Sequence, residues 1–135
     1  MDIVARIAFP GGKRVDAEVG RHLVRTDQPV ENGGEGSAPE PFALFAASIG
    51  TCAGLYVLAF CTARDLPTEG LALHERLRFD GDRLVAIEID VELPPGFPER
   101  YRDAVLRAAE GCKVKRAMEA QPRFVVRMVP ATRAA

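Results

Sequence analysis

Three cysteines, Cys52, Cys61 and Cys112, are the residues of this chain best able to do chemistry. A thiolate is a nucleophile and a reductant, and two thiols brought together form a reversible disulfide. Cys52 and Cys61 share one uncharged stretch, Pro41 to Ala63. Nine residues on a helix turn through about 900° and rise roughly 13 Å, so the two face opposite sides. A disulfide needs Cα atoms within about 7 Å, so any pair within the chain includes Cys112. Cys52 is the better partner, because Ser48, Gly50, Ala53 and Gly54 leave room for approach. Cys61 lies among Leu58, Phe60 and Ala63 and reads as core. From these residues alone, two unrelated buried cysteines stay open beside a Cys52–Cys112 redox pair.

Cys112 follows Gly111 at a helix break and precedes Lys113, Lys115 and Arg116. A helix N-terminus and nearby cations both favour a thiolate. Cys52 has no charged neighbour in sequence, so a reactive Cys52 calls for a cation from elsewhere in the fold. Other chemistries find little support. There is no CxxC, no Gly-rich phosphate loop and no metal-ligand spacing. His22 and His74 read as surface residues on separate strands. Ser48 and Thr51 lack a nucleophile elbow and read as hydroxyls bonded back to their own helix.

The elements that position the cysteines follow from periodicity. Ile3, Ala5, Ile7 and Phe9 alternate along a first strand over residues 2–9, and Pro10-Gly11-Gly12-Lys13 is a turn. Arg14 to Thr26 returns, interrupted at Gly20 by a bulge or a second tight turn. Residues 27–41 form a long loop rich in Gly and Pro. A central helix runs from Pro41 to about Arg64, apolar on all sides and read as buried; Leu66-Pro67 stops it. Leu71–Phe79 and Leu84–Leu93 form a hairpin about Asp80-Gly81-Asp82-Arg83, with Glu75 breaking the apolar alternation. Pro98–Gly111 is an amphipathic helix with Phe97, Tyr101, Val105, Ala108 and Ala109 inward. A short helix covers Cys112 to about Ala120, and Arg123–Val129 reads as a last strand before a frayed tail, ATRAA. Strands clustered as hairpins around one long helix define an α+β domain, with an antiparallel or mixed sheet on that helix.

The totals bound the rest. The chain has 135 residues, 47% hydrophobic and 27% charged, with a net charge of −1. One domain over 1–135, without nucleic-acid or anionic-membrane binding, is expected. The uncharged stretch is long enough to cross a bilayer, but its Ala, Gly, Ser and Thr content and strand-like flanks favour a buried helix. No signal peptide is visible at the N-terminus. With an odd cysteine count, this predicts a reducing, cytoplasmic setting.

SAPEPFALFAASIGTC, a P-x-x-L-x-x-A run ending in Cys52, resembles the first-cysteine motif of the OsmC-like superfamily. That superfamily includes osmotically inducible protein C and the organic hydroperoxide resistance proteins. AAEGCKVKRAM resembles its second-cysteine motif, with Lys113 and Lys115 where Pro and Ser are usual. The resemblance covers nearly the whole chain and implies an intertwined homodimer with sites at the subunit interface. It implies a thiol peroxidase without cofactor, acting on organic hydroperoxides and reduced by an external dithiol. Cys52 corresponds to the peroxidatic thiol and Cys112 to the resolving one. An activating arginine is expected from the N-terminal strands, Arg14 or Arg25. Phe42, Phe45, Ile49 and Tyr56 supply an apolar substrate wall. Hydroperoxide-reductase members carry Glu or Gln just after the motif proline, where this chain has Phe42 and Ala43. Two further readings stand beside the peroxidase: a binding module for a small apolar or thiol-reactive ligand at the interface, and a thiol-transfer or redox-sensing protein.

Overall fold

The structure is a computed structural model that describes residues 1–131. Its first unit is a three-stranded antiparallel meander of β1 (Ala5–Gly11), β2 (Arg14–Val19) and β3 (His22–Thr26). The interruption at Gly20 is a second tight turn. Gly20 has φ +60°, a left-handed conformation that favours glycine, and β2 and β3 pair directly from Val19↔His22 to Val15↔Thr26. The following loop is tied down by a single carboxylate. Buried Asp27 accepts hydrogen bonds from the Gln28 amide (2.7 Å), the Ser37 amide (3.0 Å) and the Ser37 hydroxyl (2.6 Å). These bonds, the Ser37 hydroxyl's foremost, hold its pKa down at about 2.

The uncharged stretch forms α1 (Pro41–Ala63). Pro41 occupies its first turn, where the missing N–H leaves no bond unmade. Past Ala63 the chain turns away through Asp65 (φ 52°), and the Leu66 amide bonds back to the Cys61 carbonyl at 2.9 Å. β4 (Ala72–Asp80) and β5 (Arg83–Glu92) form the second, two-stranded antiparallel sheet. A 3-10 turn at Glu99–Tyr101 leads into α2 (Arg102–Glu110), and α3 (Lys113–Glu119) follows. This is the α+β architecture expected from the pattern, with α1 packed against β4, α2 and α3.

The core lies between α1 and α2. Val57, Cys61 and Val105 are fully buried, Phe97 nearly so, and Phe60, Leu71, Val91, Leu93 and Tyr101 close around them. The inner face of α2 is the predicted one. Cys61 belongs to this core, and burial pushes its thiol pKa up.

Two expectations meet a different outcome. The first concerns α1, which the single chain covers on one side only. Leu55 is 61% and Leu58 44% exposed on the opposite side. By length and composition α1 could cross a membrane. Yet β4, α2 and α3, all carrying charged side chains, pack on this same helix. The second concerns Arg123–Val129, which is not a strand here. A strand needs a partner, and this segment pairs with none of the described strands. Phe124, Val126 and Met128 are more than nine-tenths exposed. The tail expected over 131–135 lies, from residue 132 on, outside the described residues.

The N-terminal meander is equally open. Its strands pack chiefly on one another, and Ile7 (51%) and Phe9 (79%) face outward. Two apolar surfaces and an unpaired C-terminal segment therefore stand uncovered in one chain.

Candidate functional site

α1 and α3 meet where Cys52 and Cys112 come together. Both thiols are free, and they lie close enough for each to shift the other's pKa. Cys112 is buried, with its Sγ also 3.9 Å from the Ile49 carbonyl oxygen. Cys52 is half-buried. Cys61 faces the opposite side of α1, in the core. The pairing open to the sequence, Cys52 with Cys112, is thus the one the fold brings together.

The electrostatics run opposite to the sequence expectation. Cys112 is the N-cap residue of α3, the position expected to stabilise a thiolate. Its side chain is nevertheless turned into the protein, where burial dominates and pushes its pKa up. The open end of α3 serves Cys52 instead. The Val114 amide is the largest influence lowering the Cys52 pKa below the ordinary thiol value. Burial opposes it as the second-largest influence, and the Cys112 thiol, the Lys113 amide and the positive charge of Arg116 each lower the pKa further. The result is a polarised pair in which Cys52 ionises more readily than an ordinary thiol and Cys112 less readily.

Arg116 reaches this site from the next turn of α3. Its Nη2 donates to the Tyr56 hydroxyl at 3.2 Å. Tyr56 lies one turn beyond Cys52 on α1, so four residues from two helices form one cluster. In the sequence Arg116 stands out only as a neighbour of Cys112, and Tyr56 only as part of an apolar wall. The signal that would have joined them is the matching four-residue spacing, 52/56 on one helix and 112/116 on the other.

Arg14 and Arg25 are not in this cluster within one chain. Both are exposed on the N-terminal meander. Arg14 Nε donates to the Gly11 carbonyl at 3.3 Å, and Arg25 pairs in register with Asp16.

The four residues expected to wall a substrate site separate. Ile49 lines a cavity of about 360 Å³, together with Ala53, Cys112, Leu84, Ile87 and Ile89. This cavity opens beside Cys112, and Cys52 is not among its lining residues. Phe42 and Phe45 meet at a tilt at the start of α1, with ring centroids 5.2 Å apart, and Phe42 also meets Phe79 at 5.9 Å. Tyr56 turns to Arg116. Ser48 and Thr51 bond back to the Phe45 and Ala47 carbonyls, both at 2.7 Å, as their sequence context suggests. Among the described residues no cluster of His, Cys, Asp and Glu could hold a metal ion.

Glu75, which breaks the apolar alternation of its strand, lies inward against α1. A Cβ at Gly50 would stand 2.9 Å from its Oε2, so glycine is what allows the approach. That oxygen is buried without a hydrogen-bond partner, and burial raises the pKa of the carboxyl.

A long cysteine-bearing helix packed with a hairpin and two short helices defines the fold class, and solved structures share it. A protein of Psychrobacter arcticus 273-4, named for osmotic-stress induction and a detoxification response, superposes with a TM-score of 0.71 at 20% identity. The match covers 84% of this chain and 85% of that one. An organic hydroperoxide resistance protein OsmC of Legionella pneumophila superposes with a TM-score of 0.58 at 22% identity, covering 87% and 89%. No curated relative matches by sequence. The profile of the OsmC-like protein family matches residues 34–127, which include both cysteines of the cluster, and the chain belongs to that family.

Proposed function

We propose that this protein is a cytoplasmic, thiol-dependent peroxidase that reduces organic hydroperoxides. The observation that carries the reading is the polarised Cys52–Cys112 pair, one thiol with a lowered pKa in contact with one whose pKa is raised. The Cys52 thiolate attacks an oxygen of R–O–O–H, forming an S–O bond while the O–O bond breaks. The products are Cys52 sulfenic acid and an alkoxide, which takes a proton to leave as the alcohol. Cys112, still protonated, is already in contact. Its sulfur displaces hydroxide from the sulfenic acid, and the thiol proton leaves with that hydroxide as water. The resulting disulfide is reduced by an external dithiol, which becomes oxidised to its own disulfide.

The working unit is a homodimer. Leu55 and Leu58 on α1, the outward residues of the N-terminal meander and the unpaired 123–129 segment are apolar surfaces that a second copy can cover. Arg14 and Arg25 act at Cys52 only if carried across that interface, and Phe42 and Phe45 then join Ile49 as the apolar wall.

One observation favours a second reading. The cavity opens on Cys112 and not on Cys52, as a pocket for a bound apolar or thiol-reactive ligand does. Steady-state consumption of cumene hydroperoxide with dithiothreitol or dihydrolipoamide separates the two. The peroxidase reading expects turnover that Cys52→Ser abolishes. Stoichiometric binding without turnover supports the pocket.

A further inference from the structure

The peroxidase reading leaves open what takes up the negative charge that passes from sulfur to the departing oxygen. OsmC-like hydroperoxide reductases are expected to use an arginine from the N-terminal strands, oriented by an acid next to the motif proline. Here Phe42 and Ala43 fill the place of that acid, and neither Arg14 nor Arg25 meets the thiol within the chain.

α1 and α3 provide an alternative. Along α1, Cys52 and Tyr56 are four residues apart and share a face. Along α3, the Arg116 amide bonds to the Cys112 carbonyl at 3.1 Å, so Arg116 stands one turn beyond Cys112. The two helices thus contact each other in two successive rungs. In one rung the thiols of Cys52 and Cys112 meet. In the next the Tyr56 hydroxyl accepts a hydrogen bond from Arg116. α1 has no charged side chain, but other charges surround the site. Lys113 begins α3, Lys115 pairs with Glu119 at 3.9 Å and lies 3.4 Å from the Glu110 carbonyl, and Glu75 of β4 lies against α1 at Gly50.

We propose that Arg116, anchored by Tyr56, is the activating cation of the Cys52 site and is supplied by the same chain that carries both cysteines. Tyr56 does the orienting work of the absent acid, as a positioning residue. A guanidinium has five N–H donors, and the bond to Tyr56 leaves others for the thiolate or for the oxygens of a bound peroxide. A neutral hydroxyl holds the guanidinium without neutralising it, so its full charge stays available to the reaction. A carboxylate in the same place would offset part of that charge.

This inference rests on the peroxidase reading, and its test therefore reads the thiolate directly. The rate of Cys52 alkylation by iodoacetamide is followed against pH, by mass spectrometry of the Cys52 peptide, with cumene hydroperoxide turnover measured in parallel. Arg116→Gln is expected to move the alkylation midpoint upward and to slow the reaction at neutral pH by roughly threefold to tenfold. Arg116→Lys restores part of the loss, because it returns the charge without the planar fork. Tyr56→Phe gives a smaller shift, and Arg14→Gln and Arg25→Gln none. The proposal is overturned if the Arg116→Gln profile superimposes on wild type, or if either N-terminal variant shifts it more. If wild type consumes no peroxide while Arg116→Gln still shifts the midpoint, the peroxidase reading fails and the role of Arg116 at the thiolate stands.

Discussion

The α1–α3 contact and the N-terminal meander differ in what one chain completes. At the contact, two thiols, a helix terminus, a guanidinium and a phenol are in place, each with an identifiable partner. In the meander the strands are paired, with one irregularity between Ala8 and Gly11, but Ile7 and Phe9 have little to pack against. The reactive pair is local, held by two helices joined through one fold, whereas the apolar cover of the meander has to come from outside the chain. Chemistry and assembly are therefore separable here, and substitutions in the two regions should fail in different ways.

The sharpest contrast is in stability. Val105→Ala, in the closed core beneath α1, is expected to destabilise the dilute chain by about 2 kcal/mol in urea unfolding. Phe9→Ala, on the open meander, should alter the dilute chain by less than about 0.5 kcal/mol and instead weaken self-association in sedimentation. An equal loss from both would show that the meander is packed within the chain, which contradicts the contrast.

Glu75 offers an intermediate effect on the closed side. Its folded pKa is raised above the ordinary 4.5, so the unfolded state loses its proton first. Stability then falls as pH rises from about 4.5 through the folded value, and stays reduced above it. Glu75→Gln removes that slope and is expected to melt higher than wild type at pH 7, with little difference at pH 4. Gly50→Ala should change stability by less than about 1 kcal/mol, because its Cβ meets only the movable end of the Glu75 side chain while Ala favours the helix.

The smallest effect belongs to the loop that joins the two regions. Asp27 has a folded pKa of about 2 against an ordinary 3.8, so its contribution is complete above 3.8 and disappears as pH falls toward 2. Asp27→Asn should lower the melting temperature at pH 7 and make little difference near pH 2. A constant difference across that range would assign the loss to packing instead of charge.

Much of this was legible in the amino-acid sequence, for physical reasons. Alternation in Ile87, Ile89 and Val91 marks a half-buried strand, and the uncharged run with Pro41 at its start marks the helix. The cysteine arithmetic followed from helical rise and rotation. What escaped the reading depended on direction and on company. The cations after Cys112 suggested a thiolate there, but sequence does not reveal that the side chain turns inward while the Val114 amide points to Cys52. Arg123–Val129 has the composition of a strand, yet it pairs with none of the described strands. Glu75 was visible as a break in a pattern, and only the approach of Gly50 explains where it goes.

The central claim is that Cys52 and Cys112 of one chain form a working thiol pair. Peptide mapping by mass spectrometry after substoichiometric cumene hydroperoxide tests it most directly. An intrachain Cys52–Cys112 disulfide, absent in Cys52→Ser, is the predicted result. Oxidation of neither residue, or a disulfide only between chains, would contradict it.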